Sequence, residues 1–231
     1  MPGKGLEPLR PTWGHLILSQ ARIASFATPA AEEYAAILEF DTPSGRARAE
    51  LHVVESARAA LVLGHGAGGG IESPDLLGAR DAALAAGLTV ALVEQPYRVA
   101  GRRAPAPARR LDAAWISVVS QLPLEKLSLI VGGRSAGARV ACRTAAETGA
   151  IAVLCLAFPL HPPGRPEKSR LDELDAVAVP TLVVQGLRDP FGMPPPAPRR
   201  RVEPIAGTHS LRSEGAVEAV VGEWLPTVLA G

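Results

Sequence analysis

Short, almost wholly apolar runs recur along this chain and alternate with longer segments in which apolar and polar positions interleave. Residues 59–63, 88–93, 127–131, 151–157 and 181–185 are runs of this first kind. Each has the length and β-branched content of a strand buried on both faces. Between them, residues 74–86, 111–122, 136–147 and 171–176 read as helices, and 216–229 as a terminal one. Gly87 and Gly149 stand just past two of these segments, where a helix commonly ends in a left-handed residue. Strand and helix in strict alternation predict an α/β fold: a mostly parallel sheet with helices on both faces.

The two ends of the chain depart from that rhythm. Strand-like runs at 36–41 and 47–54 flank Thr42-Pro43-Ser44-Gly45, a hairpin signal that predicts an antiparallel edge. A short strand at 202–205 precedes the last helix. Residues 1–33 hold no periodicity and carry Pro2, Pro8, Pro11 and Pro29, so they read as an irregular N-terminal extension, with 34–231 as a single α/β domain. A length of 231 residues suits one domain with a large core. Between 157 and 181 there is room for one loop and one short helix, so no cap domain is expected. Residues 98–110, rich in proline and arginine, read as a loop.

Composition narrows the function classes. A net charge of +1 and a charged fraction of 20% give no reason to expect nucleic acid as a partner. No run is long and apolar enough to span a bilayer, and the first thirty residues lack the charged start, apolar stretch and cleavage site of a signal peptide. Cytoplasmic location, with no membrane partner, is the resulting expectation. Cys142 and Cys155 fall in an expected helix and an expected core strand, and read as small buried hydrophobes, not as a bridge or a metal pair. No metal or other cofactor is expected.

In a parallel sheet, functional groups gather at the carboxyl ends of the strands. Four such ends carry chemistry here. The run 127–131 stops at Gly132-Gly133, then Arg134-Ser135-Ala136-Gly137 leads into a helix, which puts a serine at the apex of a tight strand-to-helix turn between two glycines. Past 181–185 stands Asp189, past 202–205 stands His209, and past 59–63 comes the glycine-rich His65-Gly66-Ala67-Gly68-Gly69-Gly70. Acyl transfer needs all four. A hydroxyl is a poor nucleophile until a base takes its proton, which assigns Ser135 as nucleophile and His209 as base. Asp189 would orient the imidazole and stabilise its charged form. The N–H groups of Ala67 and Ala136 would receive the oxyanion. Each piece has an ordinary alternative: an aspartate before proline serves turns, a histidine can be a surface residue, and glycine loops also cradle phosphates. The glycine loop, however, lacks the lysine and spacing of a phosphate loop. The four signals occur together, in the order serine, aspartate, histidine.

The chain resembles the small, lid-less dienelactone-hydrolase-like group of the α/β-hydrolase superfamily, in particular bacterial relatives of its animal testis-expressed and histone-acetyltransferase-complex members. The resemblance is carried by HGAGGG (65–70), GGRSAGARVA (132–141), FPLHPPGRPEK (158–168), QGLRDPFG (185–192) and GTHSL (207–211), within a span of about 36–229. It implies the α/β-hydrolase fold and a serine hydrolase of a small-molecule acyl substrate: an ester, a thioester or a similar bond, cleaved through an acyl-enzyme. Dienelactone hydrolase itself uses a cysteine nucleophile where this chain has Ser135, which argues against a lactone substrate. The chromatin-complex relatives keep a second class open, a hydrolase-fold binding or scaffold protein with little catalysis. Among the remaining candidates, the resemblance implies that His65 supports the glycine loop, and His161 reads as a packing or surface residue. Arg134 and Arg188 read as surface ion-pairing residues. Arg98, Arg102, Arg103, Arg109 and Arg110 read as solvated, on the face where the site would open.

Overall fold

The computed structural model describes residues 23–24 and 33–230; the rest of the segment 1–33 lies outside these residues. Ile23–Ala24 forms a two-residue strand, β1, paired antiparallel with β2 (Glu33–Thr42). β2 and β3 (Gly45–Val54) make the expected hairpin, with Thr42 opposite Gly45 and the glycine at φ 111°. Then β4 (Ala59–Gly64), α1 (Pro74–Ala85) and β5 (Thr89–Glu94) begin the alternation. It continues with α2 (Pro96–Val99), α3 (Ala108–Gln121), β6 (Ser128–Arg134), α4 (Ala136–Thr144) and β7 (Ala152–Leu156). α5 (Leu171–Asp175), β8 (Thr181–Gly186), β9 (Arg200–Ile205) and α6 (Glu214–Leu229) complete it.

The strands form one sheet in the order β1-β2-β3-β5-β4-β6-β7-β8-β9, parallel from β5 to β9 and antiparallel at the leading edge. Alternation along a strand divides the core in two. Ala60 and Val62 of β4 face Trp115 and Val118 of α3 and Val140 of α4. Leu61 and Leu63 face the other way, toward α1 and the Val217, Val221 and Trp224 stripe of α6. Every residue of β4, β7 and β8 is buried, as a strand covered by helices on both sides must be. Between β7 and β8 only α5 intervenes, so among the described residues no cap domain is inserted there.

Two elements differ from the sequence expectation. Ile23–Ala24, within the segment read as an irregular extension, adds an edge strand to β2. The stretch read as a loop from residue 98 is entered through the helical turn α2, because Pro96 at its first position has a preset φ and no N–H to satisfy, and Pro96 and Tyr97 are buried. No helix among the described residues is long and apolar enough to cross a membrane.

Cys142 and Cys155 are free and buried, with their sulfurs 3.4 Å apart. The hydrogen bond between them, followed by burial, holds the Cys155 thiol well above its ordinary range and hence protonated. Alkylation of the native protein is therefore expected to leave both thiols unmodified, and denaturant should expose both. A bridge found by mass spectrometry under non-reducing conditions would count against that.

Candidate active site

The site is built from the turn between β6 and α4. Ser135 has φ 52° and ψ −106°, a strained conformation for a residue with a side chain, of the kind that persists only where the surroundings enforce it. The surroundings are the backbone of β4. A Cβ on Gly137 would lie 2.2 Å from the Gly64 carbonyl oxygen, and one on Gly133 would lie 2.4 Å from the same atom. The glycines two residues to either side of Ser135 therefore let this turn press against β4. The Ser135 N–H is pinned to the Leu156 carbonyl at the end of β7 (2.9 Å).

Ser135, His209 and Asp189 come together. Ser135 Oγ lies 2.9 Å from His209 Nε2, and His209 Nδ1 lies 2.9 Å from Asp189 Oδ2. The Asp189 side chain is buried, and its Oδ1 accepts the Phe191 N–H at 2.8 Å. A carboxylate opposite Nδ1 places the ring proton there, which leaves Nε2 to accept from the serine hydroxyl. The loops carrying acid and base are pressed together at Gly186, where a Cβ would lie 2.3 Å from the Thr208 carbonyl oxygen.

The glycine-rich loop faces the turn from the end of β4. His65 is buried; desolvation pushes its ring below the ordinary histidine range, so it is neutral. Its Nδ1–H donates to the Gly66 carbonyl (2.8 Å), and its Nε2 accepts the Gln95 N–H (3.1 Å). The histidine thus ties the loop to the end of β5, in line with the supporting role read from the sequence. The Tyr97 hydroxyl donates to the Ala67 carbonyl at 3.1 Å and fixes that peptide. Ala136 opens α4, so its N–H has no intrahelical acceptor behind it. Ala136 follows Ser135 directly, and Gly66, which precedes Ala67, packs against the turn, a Cβ there lying 3.5 Å from Ser135 Cβ.

Three side chains escaped the sequence reading. Gln185, wholly buried at the end of β8, donates through Nε2 to Asp189 Oδ2 (2.9 Å), the oxygen that also faces His209, and to the carbonyls of Phe158 and Gly192. Its one sequence signal is a polar residue closing an apolar strand. Phe191 stacks on the His209 ring, with centroids 4.1 Å apart. Asp75, 1% exposed in the first turn of α1, accepts from Arg134 Nε at 2.9 Å. The surface role read for Arg134 is thereby corrected: its ion pair lies mostly out of water.

Arg188 stays exposed, and neither it nor the five arginines of 98–110 takes a carboxylate partner among the described residues. His161 is half-buried; its N–H donates to the Phe191 carbonyl and its Nδ1 contacts the Pro162 carbonyl. Among the described residues no cluster of three or more His, Cys, Asp or Glu is placed to hold a metal ion.

Gln185→Leu is expected to lower the rate of any reaction that uses His209 as a base by about tenfold, because a neutral–charged hydrogen bond of about 1.5–3 kcal/mol that orients Asp189 is lost. Steady-state kinetics on an activated ester would check this, and an unchanged kcat would remove Gln185 from the site.

Comparison with known proteins places the fold. A family model described as an alpha/beta hydrolase domain matches residues 57–209. Est1E from Butyrivibrio proteoclasticus superposes with a TM-score of 0.68 at 16% identity, over 84% of this chain and 99% of its own. XC6422 from Xanthomonas campestris, described as an a/b serine hydrolase without lid, gives 0.63 at 21% identity over 86% and 97%. Dienelactone hydrolase from Anabaena variabilis gives 0.64 at 20% identity over 85% and 98%. No curated protein sequence matches the chain.

Proposed function

The chain belongs to the alpha/beta hydrolase domain family, and from that membership we propose that it is a serine hydrolase cleaving an ester, thioester or similar acyl bond of a small substrate. The observation that carries the proposal is the unbroken path from Ser135 Oγ through the His209 ring to Asp189, with both links at 2.9 Å and the serine held in a strained turn. In the first step Ser135 Oγ attacks the acyl carbon while its proton passes to His209 Nε2. The carbonyl π pair becomes an oxyanion, received by the Ala67 and Ala136 N–H groups. Collapse breaks the bond to the leaving group, which takes the proton from His209, and the acyl group remains on Ser135. Water then attacks this acyl-enzyme, giving its proton to His209. A second collapse releases the acid and returns the proton to the serine. Asp189 stays ionised throughout, accepting from Nδ1 and stabilising the imidazolium.

With no cap inserted between β7 and β8 among the described residues, compact or polar substrates suit the site best. A cytoplasmic setting belongs to the same reading. Turnover of a panel of p-nitrophenyl esters and acyl thioesters of increasing chain length tests the proposal. Hydrolysis is expected for the short members and should decline with length. Absence of turnover across the whole panel would count against hydrolysis and leave a binding role.

A further inference from the structure

Arg134 directly precedes the proposed nucleophile, and its guanidinium meets the glycine-rich loop, the nearby first turn of α1 and the distant segment that carries His209. Nε donates to Asp75 Oδ2 in the first turn of α1 (2.9 Å), and Nη2 donates to the His209 carbonyl (3.1 Å). Nη1 lies 2.6 Å from where a Cβ on Gly66 would be, so the guanidinium packs directly under the glycine-rich loop. Asp75 is itself fixed, its Oδ1 accepting the Leu76 N–H at 3.0 Å. Burial pushes the Asp75 carboxyl up, and Arg134 opposes that shift.

A charged pair this far out of water is a poor device for stability, since desolvation costs several kcal/mol per ion and an apolar pair often does as well. An apolar pair would not, however, hold a backbone carbonyl. The His209 ring is held by Ser135, Asp189 and Phe191, and the segment 206–212 is further placed by the Gly207 carbonyl, which accepts the Arg188 N–H, by the close approach of Thr208 to Gly186 and by the buried Leu211 side chain. The tie to Arg134 is made at His209's own peptide.

We propose that Arg134 is a positioning residue for the hydrolysis proposed above: anchored by Asp75, it holds the His209 backbone against the Ser135 turn so that the imidazole meets the hydroxyl. The inference rests on that reading of the site. One guanidinium spans carboxylate and carbonyl through different nitrogens, whereas one ammonium at the end of a flexible stem does not. Arg134→Lys therefore keeps a cation opposite Asp75 while losing the tie to His209.

The test compares wild type with Arg134→Lys in two measurements. Steady-state kinetics on a p-nitrophenyl ester should show kcat reduced about tenfold to a hundredfold, the range expected for a displacement of about 1 Å, with KM unchanged. Proton NMR should show the low-field His209 Nδ1–H resonance of the wild type broadened in the variant, while the remaining dispersion is kept. If Arg134→Lys fails to fold, the neutral pair Arg134→Gln with Asp75→Asn, which buries no unpaired charge, takes its place with the same expectations. A kcat within twofold of wild type, or an unaltered His209 resonance, would overturn the inference. If the wild type turns over no acyl substrate, the hydrolase reading fails, and the NMR comparison still decides whether Arg134 holds His209.

Discussion

Ser135→Ala and His209→Ala are each expected to lower kcat for acyl hydrolysis by about a millionfold, and Asp189→Asn by about ten-thousandfold, as in enzymes where such residues act as a unit. Without Ser135 no acyl-enzyme forms; without His209 nothing takes the serine's proton. An asparagine at 189 leaves His209 in place but favours the wrong tautomer. Double and triple combinations should fall little further, because once one link is missing the others have nothing to act on. The melting temperature should hold for Ser135→Ala and fall modestly for His209→Ala, which takes one donor from the buried Asp189 carboxylate and the ring that Phe191 stacks on. Asp189→Ala is a different case, because three donors converge on that buried carboxylate: His209, Gln185 and the Phe191 N–H. Each stripped buried donor costs about 1–3 kcal/mol, so alanine there should also destabilise the fold, and asparagine is the cleaner probe. Single-turnover kinetics with thermal unfolding of each variant measure both expectations. Near wild-type activity in His209→Ala would remove the base from the scheme, and Asp189 with it.

Gly137→Ala is expected to cause one of the largest stability losses available to a single methyl group in this chain, more than about 4 kcal/mol. The added Cβ would lie 2.2 Å from the Gly64 oxygen, 2.6 Å from the Gly64 carbonyl carbon and 2.9 Å from the His65 oxygen. All three are backbone atoms of β4 and the loop that follows it, so no side chain can swing aside. Relief requires α4 to move off the sheet, and α4 carries Ala136 and follows directly from Ser135. Activity should therefore fall with stability. Gly68→Ala is the control, since nothing lies within 4 Å of its Cβ position. Chemical denaturation of the two variants measures the contrast, and equal midpoints would mean that the turn does not press on β4 as described.

What the sequence made legible follows from how local each signal is. Apolar runs such as 59–63 and 181–185 announce buried strands because both faces must be covered, and Thr42-Pro43-Ser44-Gly45 announces a hairpin because the turn chemistry is contained in four residues. Ser135, Asp189 and His209 were readable because each stands just past a strand, although the bond between Ser135 and His209 joins residues 74 apart in sequence. Arg134 and Asp75 were not readable as partners. They are 59 residues apart, neither sits in a motif for pairing, and an arginine beside a turn more often faces water. Gln185 was hidden differently, since its role exists only where the 189–192 loop folds back over the end of β8. Asp189 was legible as an acid but not as a buried hub of three donors, for the same reason.

Intact-protein mass spectrometry after exposure to a fluorophosphonate addresses the proposed chemistry without knowledge of the natural substrate. The reagent phosphonylates a serine activated by a neighbouring base, and leaves other hydroxyls untouched. Wild-type protein is expected to gain one phosphonyl group that peptide mapping places on Ser135, with Ser135→Ala unmodified and His209→Ala modified far more slowly. A wild-type protein that keeps its mass while folded, or an adduct mapped to any other residue, would contradict the assignment of Ser135 as nucleophile.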